Sequence, residues 1–119
     1  MKKVSLMAAM ALATLFALTG CKEAGDDFIG QWDRVQKKIP DKEDMIEISR
    51  EDGVFHISNK RWSMFKGPHG DYVTDRVQAR AESEKVLSVI GGVIQVNATY
   101  VIENGNLFTS QGEEYTRVK

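Results

Sequence analysis

The side chains best suited to nucleophilic or metal chemistry are one cysteine and two histidines. Cys21 is the only cysteine among the 119 residues, so the chain can form no intramolecular disulfide. His56 and His69 are the only histidines, and they stand far apart in the sequence. A transition-metal site needs three or four converging nitrogen, sulfur or oxygen ligands. We therefore interpret both histidines as surface residues and expect no bound metal and no cofactor.

Paired carboxylates are the other groups that could do acid–base chemistry. Such pairs occur at 26–27, 43–44, 51–52 and 113–114. All four lie in segments that the sequence predicts to be tether, loop or turn, whereas a glycosidase needs two carboxyl groups facing each other across a cleft. No Gly-x-Ser-x-Gly run marks a hydrolase nucleophile. We therefore do not expect an enzyme.

The segment before Cys21 indicates where the protein is sent. Met1-Lys2-Lys3 is positively charged, Val4 to Ala17 carries no charge, and the small residues Thr19 and Gly20 come next. A positive start, a short apolar run and a small-residue end are typical of a secretory signal peptide. An uncleaved transmembrane helix is an alternative, although the run is shorter than the about 20 residues that span a bilayer.

The four residues Leu18-Thr19-Gly20-Cys21 resemble the lipobox of bacterial lipoproteins. The resemblance implies that the Cys21 thiol carries a diacylglyceryl group, that the chain is cut between Gly20 and Cys21, and that the new amino group is acylated as well. Two or three acyl chains hold a protein stably on a bilayer, whereas one binds only marginally. Lys22 stands where an aspartate would resemble an inner-membrane retention signal, so we expect the outer membrane, at its periplasmic or its surface face. An ordinary signal peptide is the alternative.

This interpretation divides the chain into a signal helix at 1–20, a lipidated tether at 21–27 and one β domain at 28–119. Loss of residues 1–20 lowers the lysines and arginines from 16 to 14 against 17 aspartates and glutamates, a formal charge of −3. Proteins that bind nucleic acid usually present a basic face to the phosphates. We therefore expect the membrane, through its lipid, as one partner, and no nucleic acid.

Short apolar and β-branched runs separated by turn residues predict consecutive hairpins from residue 28 onward. Asp52-Gly53 and Asn104-Gly105 are typical hairpin turns, Asn59-Lys60 is read as another turn, and Gly91-Gly92 as a turn or bulge. Segment 71–84 also suits a helix, but the hairpins on both sides favour a strand. The predicted strands are 28–35, 45–49, 54–58, 61–66, 71–84, 86–90, 93–102, 107–110 and 115–118.

Eight or nine such strands predict an all-β fold, an antiparallel meander closed as a barrel or folded as a sandwich. The residues Gly30-Gln31-Trp32 on the first predicted strand resemble the Gly-x-Trp of the lipocalin-like (calycin) barrels. That resemblance implies a barrel whose tryptophan closes one end. Gly30 between two aromatic residues is expected to let a neighbouring backbone or ring approach closely.

Four aromatic residues are candidates for a binding face or cavity: Trp32, Trp62, Tyr72 and Tyr100. Core packing is the alternative interpretation, because side chains fill the interior of a small barrel. We expect a non-catalytic, lipid-anchored envelope lipoprotein whose β domain binds a protein partner. A lipocalin-like carrier of a small apolar ligand is the alternative.

Overall fold

The structure of the chain, a computed structural model, describes residues 23–92 and 98–119. The predicted signal helix, Cys21, Lys22 and the first half of the predicted strand 93–102 lie outside the described residues. Within the described ranges the only helix is the short 3₁₀ helix Asp26–Phe28. This helix is not long and apolar enough to cross a membrane.

Eight antiparallel strands follow one another around a closed barrel, and β1 completes the ring by pairing with β8. This confirms the all-β, eight-strand prediction and selects the barrel over the sandwich. The segment 71–84 is a strand and not a helix. The strands are β1 Gly30–Arg34, β2 Asp44–Glu51, β3 Val54–Ser63, β4 Asp71–Ser83, β5 Val86–Gly92, β6 Thr99–Glu103, β7 Asn106–Thr109 and β8 Glu114–Arg117.

The predicted turn at Asn59-Lys60 is wrong, because both residues lie inside β3, which pairs without interruption with β2 and β4. Asn59 is polar for another reason: its side-chain amide donates to the Met45 carbonyl of β2, at 2.9 Å. Lys60 points outward and forms an ion pair with Glu43, at 2.9 Å. The loss of this turn leaves eight strands and not nine.

The other predicted turns are found where the sequence places them. Asp52 and Gly53 have φ values of 54° and 77°, and Asn104 and Gly105 have values of 54° and 80°. Positive φ at both central residues is the conformation that two-residue hairpins favour. Near Gly91-Gly92 the pairing of β4 and β5 shifts register, which is the predicted bulge.

One end of the barrel, here called the closed end, is sealed by Trp32 and the 3₁₀ helix. Trp32 is fully buried and its Nε1–H donates to the Phe28 carbonyl at 2.9 Å. The Arg117 guanidinium lies 4.2 Å from the centre of the Trp32 ring and donates to the Ile29 carbonyl. A Cβ on Gly30 would stand 2.8 Å from that guanidinium, so the group that approaches closely is an arginine side chain and not the expected backbone or ring. The segment after Cys21 thus packs partly on the barrel.

The apolar core fills the part of the barrel next to the closed end. Inward-pointing side chains of all eight strands contribute to it, as the two-residue alternation of strands requires. Among residues 23–92 and 98–119, fourteen buried apolar residues form the cluster. Those with the largest fully buried side chains are Trp32, Tyr115, Phe28, Phe55, Ile46, Ile48, Ile57, Leu87 and Leu107.

Candidate functional site

The opposite end of the barrel, here called the open end, holds a cavity of about 390 Å³. Among the described connections, this end carries loops 35–43, 64–70 and 110–113. Ile46 and Tyr115 of the core line the cavity on the inside, while Trp62 and Lys42 line it toward the rim. Small-molecule sites commonly have volumes of about 300–1,000 Å³, so this mouth cavity is large enough for a compact organic molecule.

The polar lining of the mouth cavity follows from the alternation of the strands. Toward the open end, six of the eight inward-facing rows continue, two residues beyond their last core residue, with a polar residue, whereas the row of β6 continues with Ala98. The pairs, with the core residue first, are Trp32 and Arg34, Ile46 and Asp44, Ile57 and Asn59, Val77 and Asp75, Leu107 and Thr109, and Tyr115 and Glu113. The interior is therefore apolar at one end and polar at the other.

Arg34 is the centre of an ion-pair cluster in the mouth cavity. Its guanidinium lies 3.1 Å from a carboxylate oxygen of Asp44 and 3.1 Å from one of Glu113. The Arg34 and Asp44 side chains are each only 13% exposed. Asp44 also accepts hydrogen bonds from the Tyr115 hydroxyl at 3.1 Å and from the Asn59 amide at 3.3 Å. Four strands or their ends, β1, β2, β3 and β8, are thereby joined by one polar network.

Burial and neighbouring charges together shift the pKa values in this network. Burial raises the pKa of the Tyr115 hydroxyl, and the charges of Asp44 and Glu113 raise it further. Burial also raises the pKa of Tyr100. For Arg34, burial lowers the pKa, but the hydrogen bond that its guanidinium donates to Asp44 and the charges of Asp44 and Glu113 outweigh it, so the pKa is raised overall. Near neutral pH the phenols are neutral and the guanidinium is charged.

The rim of the open end carries an aromatic pair with lysines beside it. Trp62 and Tyr72 are direct partners across β3 and β4, and their rings meet edge to face at 5.2 Å and 83°. The ammonium of Lys42 lies 4.1 Å from the centre of the Trp62 ring, and that of Lys60 lies 4.7 Å from the centre of the Tyr72 ring. The Tyr72 hydroxyl accepts the Glu43 N–H at 3.2 Å. These contacts join loop 35–43 to the β3–β4 hairpin.

The four aromatic candidates separate into two groups. Trp62 and Tyr100 line the mouth cavity, and Tyr72 stands behind Trp62 at the rim. Trp32 lies in the core at the closed end, where its indole N–H donates to the Phe28 carbonyl. Core packing is therefore the role of Trp32, whereas Tyr100 belongs both to the core cluster and to the cavity lining.

Sequence reasoning missed the polar residues of the mouth cavity, above all Arg34, Asp44 and Glu113. A usable signal was present: each is polar at the inward position of an otherwise apolar alternation. The expected surface positions of the histidines agree with the structure, since His56 is half-buried on β3 and His69 is exposed in loop 64–70. Within residues 23–92 and 98–119, no group of three or more His, Cys, Asp or Glu residues could hold a metal ion.

Comparisons with protein-family models, with curated proteins and with solved structures find no match to this chain. The site must therefore be interpreted from its own geometry. That geometry consists of a polar cavity, an aromatic rim and lysines, at the end of the barrel opposite the 3₁₀ helix.

Proposed function

We propose that this chain is a lipid-anchored, non-catalytic lipoprotein of the bacterial outer membrane whose barrel binds a protein partner through its open end. One observation carries the proposal: the segment that follows Cys21 enters the barrel at the closed end, whereas the cavity and the aromatic rim lie at the other end. A lipid on Cys21 would therefore hold the barrel by the end that has no cavity.

The first described residues are fixed to the closed end. The Glu23 carboxylate lies 3.4 Å from the Arg50 guanidinium, and the Asp26 carboxylate pairs with the same arginine. The Glu23 N–H donates to Asp26 at 3.0 Å. Only Lys22 separates Glu23 from Cys21, and two residues reach at most about 7 Å. The anchor would therefore lie beside the closed end.

Metabolic labelling with radioactive palmitate tests the anchor. The full chain is expected to take up label and to sediment with membranes, whereas Cys21→Ala is expected to lose the label and remain an uncleaved precursor. Ser110→Cys is a matched control that adds a thiol without a lipobox, and in the Cys21→Ala background it should restore no label. Label that persists in Cys21→Ala would contradict the proposal.

A second candidate function is the carriage of a small ligand in the mouth cavity. The cavity volume of about 390 Å³ favours it. The lining contains Arg34, Asp44 and Glu113, and so it suits a ligand with a charged group better than the purely apolar ligand expected from the sequence. Lys42, beside the Trp62 ring, would place a cation next to an aromatic surface. A small molecule with an anionic group and a ring matches that pair.

Native mass spectrometry tests ligand carriage. Residues 22–119, exported without the cysteine, are expected to show extra mass of a few hundred daltons that denaturation removes. Trp62→Ala with Lys42→Gln should lose that mass, while Val118→Ala, at the closed end, should keep it. A bare mass in the parent chain would reject the carrier and leave the protein-binding proposal in place.

A further inference from the structure

The β3–β4 hairpin ends in the most exposed apolar side chains of the described residues. Phe65 is 98% exposed and Met64 is 73% exposed, whereas the other exposed large apolar side chains range from 38% to 49%. A nearly bare phenylalanine beside a methionine costs solubility and gains no packing within the chain. Together they form an apolar knob, Met64-Phe65, at the open end.

The hairpin beneath the knob is braced. Trp62 and Tyr72 stack edge to face directly below it, and Lys66 Nζ donates to the Tyr72 carbonyl at 2.9 Å. Gly70 closes the loop with a φ of 85°, and a Cβ there would stand 2.7 Å from the Trp62 ring. The indole therefore packs directly against the loop backbone. These contacts support the loop that carries the knob, as is expected of a preorganised binding element.

The charge around the knob differs from that of the remaining chain. Segment 60–72 contains Lys60, Arg61 and Lys66 against Asp71, a net charge of +2. Lys60 and Arg61 form ion pairs with Glu43 and Asp75, so Lys66 is the cation of this segment that matters for a partner. Since residues 21–119 carry −3, the remainder carries −5. Lys42 adds a further cation at the base of the hairpin, over the Trp62 ring. Lys66 and Lys42, beside the knob of an otherwise acidic protein, favour an acidic partner surface.

The position of the knob separates it from the lipid. The ten residues of β3 run from the closed end to the open end, about 33 Å along the strand and about 25 Å along the axis of a barrel with tilted strands. With the anchor beside the closed end, the knob is at the end of the barrel away from the acyl chains. A protein surface therefore fits it better than the membrane that holds the chain.

We infer that the hairpin is a protein-docking element, in which Phe65 and Met64 enter an apolar pocket of a partner whose rim carries carboxylates facing Lys66 and Lys42. This inference rests on the proposed function, since it names the surface that the partner of the lipoprotein contacts. Aromatic side chains that fill a pocket on the partner are the usual energetic centre of an interface, and methionine adapts to irregular pockets. The surrounding lysines raise the association rate and the specificity of binding.

Photo-cross-linking in the producing bacterium tests the docking element. The full-length chain carries p-benzoylphenylalanine in place of Phe65, or in place of Val118 as a control that is also exposed but lies at the closed end. Position 65 is expected to give one discrete protein adduct that position 118 does not give. Lys66→Glu should lower the adduct yield at least about fivefold, whereas Lys119→Glu should leave it unchanged. The cross-linked peptide of the partner should contain an apolar pocket residue and neighbouring Asp or Glu.

Four outcomes would overturn the docking element: no adduct at position 65, adducts to lipid only, an adduct to a second copy of this chain, or an adduct yield that Lys66→Glu does not change. Palmitate labelling of the same cells is read separately. A labelled chain without the adduct removes the docking element and keeps the anchor. An unlabelled chain with the charge-sensitive adduct removes the anchor and keeps the docking element.

Discussion

Replacement of Arg34 by methionine tests whether the polar half of the barrel depends on one paired cation. Arg34→Met keeps much of the length of the side chain but removes the charge that lies 3.1 Å from both Asp44 and Glu113. The side chains of Arg34 and Asp44 are 13% exposed and that of Glu113 is 25% exposed. Two carboxylates would then share a mostly buried space without their cation.

The magnitude follows from the degree of burial. Unit charges about 4 Å apart interact by about 4 kcal/mol at an effective dielectric constant of about 20. Breaking a fully buried pair costs about 3–5 kcal/mol, while an exposed pair contributes about 0–1 kcal/mol. Because water still reaches part of each side chain, we expect Arg34→Met to lower the free energy of unfolding by about 2–3 kcal/mol.

Urea denaturation at neutral pH, followed by tryptophan fluorescence, measures this loss. Arg61→Met is the matched control, because Arg61 pairs with Asp75 in the same cavity but is 47% exposed, and its loss should cost at most about 1 kcal/mol. In the Asp44→Asn background, the cost of Arg34→Met should shrink, since one unpaired carboxylate is gone. Equal costs for Arg34→Met and Arg61→Met would refute the burial argument.

Three further predictions concern stability. Gly70→Ala should destabilise the chain by clearly more than Gly67→Ala, because both have positive φ but only a Cβ at 70 meets Trp62, and paired urea titrations compare them. The Trp32→Phe substitution removes a buried indole donor and should cost about 2 kcal/mol, against less than about 1 for Trp62→Phe, by the same assay. Burial raises the pKa of Tyr115, so its contribution to stability is complete below about pH 10 and falls as pH rises, by up to about 1.4 kcal/mol per pH unit. Tyr115→Phe should flatten this alkaline loss in thermal melts.

Each of these has a contradicting result. Equal effects at positions 67 and 70 would mean that the Trp62 ring moves aside freely. A Trp32→Phe cost no larger than that of Trp62→Phe would remove the role of the indole hydrogen bond at the closed end. If the loss of stability at alkaline pH is unchanged in Tyr115→Phe, groups other than Tyr115 cause it.

The strands could be predicted because their signals are local. Alternating apolar residues gave the strands, and Asp52-Gly53 and Asn104-Gly105 gave the turns through their tolerance of positive φ. The Asn59-Lys60 error has a physical reason. Two adjacent polar residues are typical of a turn, but in β3 the Asn59 side chain faces the interior of the open end and the Lys60 side chain faces outward.

The mouth cavity could not be assembled from the sequence, because it depends on register and closure. Arg34, Asp44 and Glu113 are separated along the chain, and they meet only because β1 pairs with both β2 and β8. The sequence showed an aromatic set, but it did not show that Trp32 and Trp62 lie at opposite ends of the barrel. That separation depends on β1 running toward the open end from Trp32, while β3 reaches that end at Trp62.

The most direct test of the central claim measures which end of the barrel faces the bilayer. Once a lipid occupies Cys21, a cysteine introduced at Asp52 or at Gln111 is the only free thiol, and a fluorophore on it reports the closed-end or the open-end turn respectively. The lipidated full-length chain is placed in vesicles that contain a headgroup quencher. Strong quenching at position 52 and weak quenching at position 111 is expected; equal quenching, or the reverse order, would contradict a barrel held by its closed end.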